Sequence, residues 1–186
     1  MRHFRYARHF ALITGFGVLL AVMTRLDLSN NLFVSFATYG ALHAAALVLT
    51  LRSAQPIWRK CLFIAVAAIL SVITFRLGIL GWQLSRTHFV NAGLYMLLGF
   101  SAAVGAAAYA MSIRLFGFYA LTPGSIAGIS VGCLLAQLAS VWTASQWQVS
   151  GSWYFALVWW FAFSGGLLYC DRRQITANPN SGAGVE

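Results

Sequence analysis

"CLFIAVAAILSVITFRLGILGW", residues 61–82, runs for twenty-two residues with a single charge, Arg76. A hydrocarbon slab about 30 Å thick is crossed by roughly 20 residues of α-helix. A segment this long and this apolar is therefore a membrane-spanning helix by length and composition. Working outward from it, five more apolar blocks appear: His9 to Thr24, Asn31 to Leu51, Phe89 to Met111, Pro123 to Trp142, and Trp153 to Cys170. The fold class is then all-α, a polytopic transmembrane bundle of six helices. The first block is short and needs snorkelling side chains or a thinned bilayer. It has the basic start of a signal peptide but no small-x-small cleavage site, so it reads as a retained helix.

The composition agrees. Of 186 residues, 60% are hydrophobic and 8% are charged, which is too few charged groups to cover a water-facing surface. Residues 1–173 form one membrane domain, and the polar stretch 174–186 reads as a disordered cytoplasmic tail. The net charge of +9 sits between the apolar blocks rather than along one face, so it reports topology and not nucleic-acid binding. Arg2, Arg5, Arg8, Arg52, Arg59, Lys60, Arg114, Arg172 and Arg173 fall on one side, and only Arg25 and Arg86 on the other. Cytoplasmic loops carry the excess of Lys and Arg, which places both termini inside and the chain in a plasma membrane of the bacterial inner-membrane type. Trp58, Trp82, Trp142, Trp147 and Trp153 stand at block ends, where amphipathic rings prefer the interface.

Very few groups inside the blocks can carry chemistry. Asp and Glu total three, Asp27, Asp171 and Glu186, and none is expected deep in the bilayer, which removes paired-carboxylate catalysis. Cys61, Cys133 and Cys170 are far apart with no CxxC, so neither a disulfide framework nor a metal site is expected. His43, in "YGALHAAAL", has small neighbours that let another helix approach, so its imidazole should face the bundle interior. Arg76 either snorkels, pairs with Asp27, or contacts an anionic ligand. Gln137 either locks a helix contact or lines a polar cavity with Asn91 and Tyr95. The candidate serines are Ser164 in "FSGG" and Ser150 and Ser152 in "SGSW", with no G-x-S-x-G expected; Ser164 with His43 is a conceivable nucleophile–base pair, and an intramembrane hydrolase ranks last.

Packing has its own signature. In "TPGSIAGISVGCLLAQLASVW", residues 122–142, a small residue recurs every fourth position: Gly124, Gly128, Gly132, Ala136, Ser140. Small-xxx-small patterns let helix backbones approach closely in lipid. Each step of four residues advances the stripe by about 40° around the helix, so four steps turn it by about 160°. One straight partner cannot follow the whole ladder, which makes this the expected central helix. The fourth block offers a matching face in Gly99 and Ala103, so fourth against fifth is the expected packing pair. Thr122 before Pro123 is an N-cap signature; plain capping is the first reading of this helix end, and a lipid headgroup held with Ser125 and Arg114 is the second.

No motif assigns the chain to a family. The first reading is a small transport or membrane ligand-binding protein, without catalytic chemistry or a cofactor. Its polar interior would be His43, Arg76, Asn91, Tyr95 and Gln137. The alternative is a non-catalytic assembly or scaffold subunit of a larger membrane complex. Expected partners are membrane lipids, a small-molecule ligand or another membrane protein, with a homo-oligomer also open.

Overall fold

The computed structural model describes residues 3–25, 32–50, 55–86, 93–147 and 152–177. Six helices account for nearly all of them: α1 (His3–Arg25), α2 (Leu32–Thr50), α3 (Ile57–Arg86), α4 (Gly93–Leu115), α5 (Pro123–Trp147) and α6 (Ser152–Ala177). No strand occurs among the described residues. Every helix of the sequence reading is present, but most run past their apolar blocks. Hydropathy marks where lipid is, and the backbone hydrogen-bond ladder continues until a cap or turn stops it. Thus α3 begins four residues before Cys61, and α6 continues seven past Cys170 through Asp171, Arg172 and Arg173. The first four residues of the tail assigned as disordered, 174–177, are accordingly helical. The expected start of the fourth block, 89–92, lies outside the described residues.

Four helices contain stretches long and apolar enough to cross a membrane: Phe33–Thr50, Ile57–Leu80, Leu97–Leu115 and Pro123–Ala144. The apolar stretches of α1 and α6, Ala7–Met23 and Tyr154–Cys170, are shorter. The outside of the bundle is correspondingly apolar, with Val18, Leu49, Ile69, Ile73, Val131 and Leu135 all exposed. A soluble monomer does not cover itself in this way. The chain is a membrane protein.

Local chemistry fixes the one described connection. At the end of α4, Gly117 takes a left-handed backbone (φ 71°). Its N–H donates to the Arg114 carbonyl at 3.0 Å, and the Phe118 N–H donates to the Ile113 carbonyl at 3.0 Å. This is a Schellman ending, which satisfies two orphan carbonyls and favours glycine at that position. Five residues later, α5 opens as read from the sequence. The Ser125 N–H donates to Thr122 Oγ1 at 3.1 Å, and Pro123 occupies the first helical position.

Each helix packs on the next in sequence, and α1 packs on α6, which closes the bundle into a ring. Close approach between α2 and α3 depends on Gly40: a Cβ there would run into the Ala67 carbonyl oxygen and come within 2.7 Å of Ser71 Cβ. Between α4 and α5 the matching surface includes Gly99, where a Cβ would meet Leu134 and Leu138 at 3.0 Å. The pairing of α4 with α5 is therefore present, but the glycine ladder does not make it. Gly124, Gly128 and Gly132 are exposed, and among the described residues nothing lies within 4 Å of a Cβ built at Gly128 or Gly132. The expectation that they pack within the chain is corrected. The helical drift of the stripe is the reason: it starts on the outer face, is half-buried at Ala136, and reaches the interior only at Ser140. Ala103 is half-buried, beside the buried Ala102 and Ala106.

Two buried clusters fill the ring. One joins α2 through α6 around Phe63, Tyr109, Ile113, Cys133 and Phe163. The other joins α1, α2 and α6 around Ile13, Leu20, Tyr39 and Trp160.

Candidate functional site

His43 stands in the middle of α2, flanked by Ala44, Ala45 and Ala46, and none of its surface is exposed. The small neighbours let bulky side chains of α4 and α6 close around the imidazole. Trp160 stacks on it at 5.7 Å, and Trp159 and Phe163 meet it edge-on at 5.6 and 5.7 Å. The Tyr109 ring lies 5.3 Å away. Such pairs hold a ring in one orientation through contact and quadrupole geometry. The Trp159 indole N–H donates to the Ala102 carbonyl of α4 at 3.1 Å, pinning α6 beside α4.

One side of this aromatic cage carries a polar chain. His43 Nε2 is 3.3 Å from Ser164 Oγ, and His9 Nε2 is 2.8 Å from the same oxygen. His9 Nδ1 is 3.2 Å from Thr50 Oγ1, and that hydroxyl donates to the Ala46 carbonyl at 2.7 Å. All four side chains are buried. They come from α1, α2 and α6, so the chain of contacts closes the ring where the first helix meets the last. In an apolar interior each such hydrogen bond matters because the alternative is an unsatisfied polar atom.

The other side opens on a cavity of about 340 Å³. It is lined from α2 through α6, and lies nearer the end of the bundle at which α2, α4 and α6 begin. Most of its wall is apolar or aromatic: Phe36, Phe75, Leu98, Phe155, Trp159 and Trp160 among others. His43, Tyr109 and Gln137 also line it. Two buried polar atoms of that wall, His43 Nδ1 and the Tyr109 hydroxyl, have no hydrogen-bond partner among the described residues. A concave, mostly apolar site with a few convergent polar groups is what a small-molecule pocket requires.

The residues singled out from the sequence are distributed as follows. His43 and Gln137 meet on the cavity wall. Gln137 also donates from Nε2 to the Phe155 carbonyl at 3.2 Å, so it locks α5 to α6 as well. Asn91 lies outside the described residues, and Tyr95 belongs to α4 with its side chain likewise outside the description. Arg76 does not join the polar interior. It is exposed on the outside of α3, with its guanidinium 4.2 Å from the centre of the Phe33 ring, a cation–π contact. The expected partner Asp27 lies outside the described residues. Thr122 and Ser125 are tied to one another by the cap, their hydroxyls 3.0 Å apart, and Arg114 is exposed in the last turn of α4. Among the described residues no three His, Cys, Asp or Glu side chains gather as metal ligands.

Sequence reading passed over two of the groups that matter, His9 and Tyr109. His9 served only as the edge of the first apolar block, but α1 begins at His3, which draws His9 a turn and a half inside the helix. Tyr109 sits in "GAAAYA", a polar tip among alanines on the same logic that identified His43. The mid-helix pair Trp159–Trp160 forms cavity wall. The expected absence of a G-x-S-x-G pattern is corrected, since Gly128 to Gly132 matches it. Its Ser130 lies inside α5 and donates to the Ile126 carbonyl at 2.8 Å. A nucleophile elbow needs a strand-to-helix turn to expose the hydroxyl, so the match is one of letters. Ser164, though bridged by two imidazoles, is 1% exposed and is not part of the cavity wall. Neither a family model, a curated protein nor a solved structure matches the chain.

Proposed function

We propose that this is a small integral membrane protein that binds a predominantly apolar small molecule in the cavity, as a transport or ligand-binding protein without catalytic chemistry. The observation that carries this reading is convergence. His43 on α2 and Gln137 on α5, chosen independently for their polarity inside apolar blocks, line the same cavity. Buried polar side chains in membrane helices are costly and mark ligand pathways by default. In the orientation that the basic residues favour, both termini are cytoplasmic and the cavity lies in the outer half of a bacterial inner membrane.

The test is to fill the cavity. Gly105 lines it, and a built Cβ there meets Thr74 only at 3.4 Å, so Gly105→Leu projects a side chain into the space. Leu98→Trp on the same wall is the second variant. Native mass spectrometry of the purified chain should show a co-purifying small molecule in the wild type and its loss in both folded variants. A ligand retained at wild-type occupancy by both variants refutes the reading. Reporter fusions at the two termini and in the segment 116–122 test the orientation; all three are expected inside.

A second reading, a non-catalytic assembly subunit, draws on the exposed Gly124, Gly128 and Gly132, which leave helix backbone open to a neighbour in the bilayer. Cross-linking of Gly128→Cys to a partner or to a second copy would support it.

A further inference from the structure

The buried polar chain determines which nitrogen of His43 carries a proton, and so what the cavity can recognise. A hydroxyl has one hydrogen, and a neutral imidazole has one N–H. Two backbone carbonyls, Ala46 at 2.7 Å and Leu47 at 3.2 Å, lie as near the Thr50 hydroxyl as His9 does or nearer, and the shortest contact takes its hydrogen. Its oxygen is then an acceptor, and His9 must donate to it from Nδ1 at 3.2 Å. His9 Nε2 is left as a lone pair, which accepts the Ser164 hydrogen at 2.8 Å. Ser164 Oγ in turn accepts from His43 Nε2–H at 3.3 Å. With the Thr50 hydrogen on the backbone, every donor in the sequence is used. The bare lone pair of His43 Nδ1 is what remains.

That lone pair is one of the two buried polar atoms without a partner on the cavity wall. The other is the Tyr109 hydroxyl, whose hydrogen is uncommitted. The two rings are adjacent, 5.3 Å between centres, and both residues line the cavity. The wall therefore holds an acceptor beside a donor, both buried beneath its surface. We propose that the cavity takes a ligand bearing a neutral hydroxyl, an alcohol or phenol on an otherwise apolar body, whose hydrogen goes to His43 and whose oxygen accepts from Tyr109. This rests on the cavity being the ligand site. A carboxylate has no hydrogen for His43 and finds no cation on the wall, since Arg76 is on the outside of the bundle. An ammonium finds no carboxylate there. An ether or ketone satisfies Tyr109 and leaves His43 unpaired. In this scheme His9 and Ser164 are positioning residues that hold the His43 tautomer and do not touch the ligand.

The probes are 2-naphthol, 2-methoxynaphthalene and 2-naphthoate, measured by equilibrium binding to the full chain in lipid nanodiscs, with specific binding taken as the part that Gly105→Leu abolishes. The expected order is naphthol tightest, about tenfold tighter than the ether, which is what one hydrogen bond to a buried acceptor contributes, with naphthoate weakest. His43→Phe should bring naphthol down to the affinity of the ether. Ser164→Ala, which frees His43 to place its hydrogen on Nδ1, should erase the preference while both probes still bind. Where His43→Phe fails to fold, ¹⁵N-histidine spectra of the wild type serve instead. They should show His43 protonated at Nε2 and its Nδ1 signal moving on addition of naphthol but not of the ether. Equal affinity for naphthol and the ether, with both blocked by Gly105→Leu, overturns the hydroxyl assignment and leaves the cavity reading standing. Binding of all three that is indifferent to Gly105→Leu overturns both.

Discussion

Gly40 and Gly128 are both glycines inside apolar helices, and the structure gives opposite consequences for the same substitution. At Gly40 an alanine methyl would lie 2.7 Å from Ser71 Cβ, about 0.7 Å inside the 3.4 Å at which ordinary contact begins, and closer still to the Ala67 carbonyl. The obstacle on that side is backbone, which cannot rotate away, so α2 and α3 must separate along their length. Overpacking of this kind costs about 1–3 kcal/mol. At Gly128 no described atom lies within 4 Å of the added methyl, and the helix gains up to about 1 kcal/mol from replacing glycine by alanine. Thermal unfolding of Gly40→Ala and Gly128→Ala in one detergent measures the difference. At about 2–4 °C per kcal/mol for a chain of this size, Gly40→Ala should fall by about 2–12 °C. Gly128→Ala should stay level or rise slightly. Two variants that melt together would refute the reasoning, because α2 and α3 would then not be in backbone contact at Gly40.

Ser164→Ala leaves the Nε2 atoms of both His9 and His43 without their shared partner, and should cost about 1–3 kcal/mol in the same melt; a neutral outcome would mean that the histidines find other partners. Thr122→Ala removes the N-cap of α5 and is expected to cost about 0.5–2 kcal/mol, with Thr122→Ser restoring stability. Gly117→Ala places a Cβ in left-handed backbone, for about 1–2 kcal/mol. Arg76→Gln, on the outside of the bundle, should leave naphthol binding within twofold of wild type, whereas an arginine that reached the cavity would change it more.

Much of the fold was legible because lipid imposes a simple rule on composition. Six apolar blocks gave six helices, and Thr122–Pro123 gave the start of α5 to the residue. What hydropathy cannot express is direction around a helix. Gly124, Gly128 and Gly132 look like contact surface in one dimension. Only the 40° drift, combined with where Ile129, Cys133 and Gln137 point, sends them outward. Arg76 fails as an interior group for the same reason, since a lone charge in an apolar block is silent about which face carries it. His43 succeeded because its alanine neighbours constrain what can surround it, and Tyr109 could have been found by that argument. His9 and Ser164 lie 155 positions apart, and no local pattern links residues at that separation.

That separation has a bearing on how the protein is made. Helices are made in chain order, so α1 is synthesised well before α6. Until α6 is in place, His9 has Thr50 for company but no hydroxyl for its Nε2, and Ile13 and Leu20 lack the side chains of α6 that cover them. The other packed pairs join consecutive helices, whereas the α1–α6 seam forms only after the four helices between them have been made. Ser164 thus completes the hydrogen bonding of a histidine synthesised 155 positions earlier.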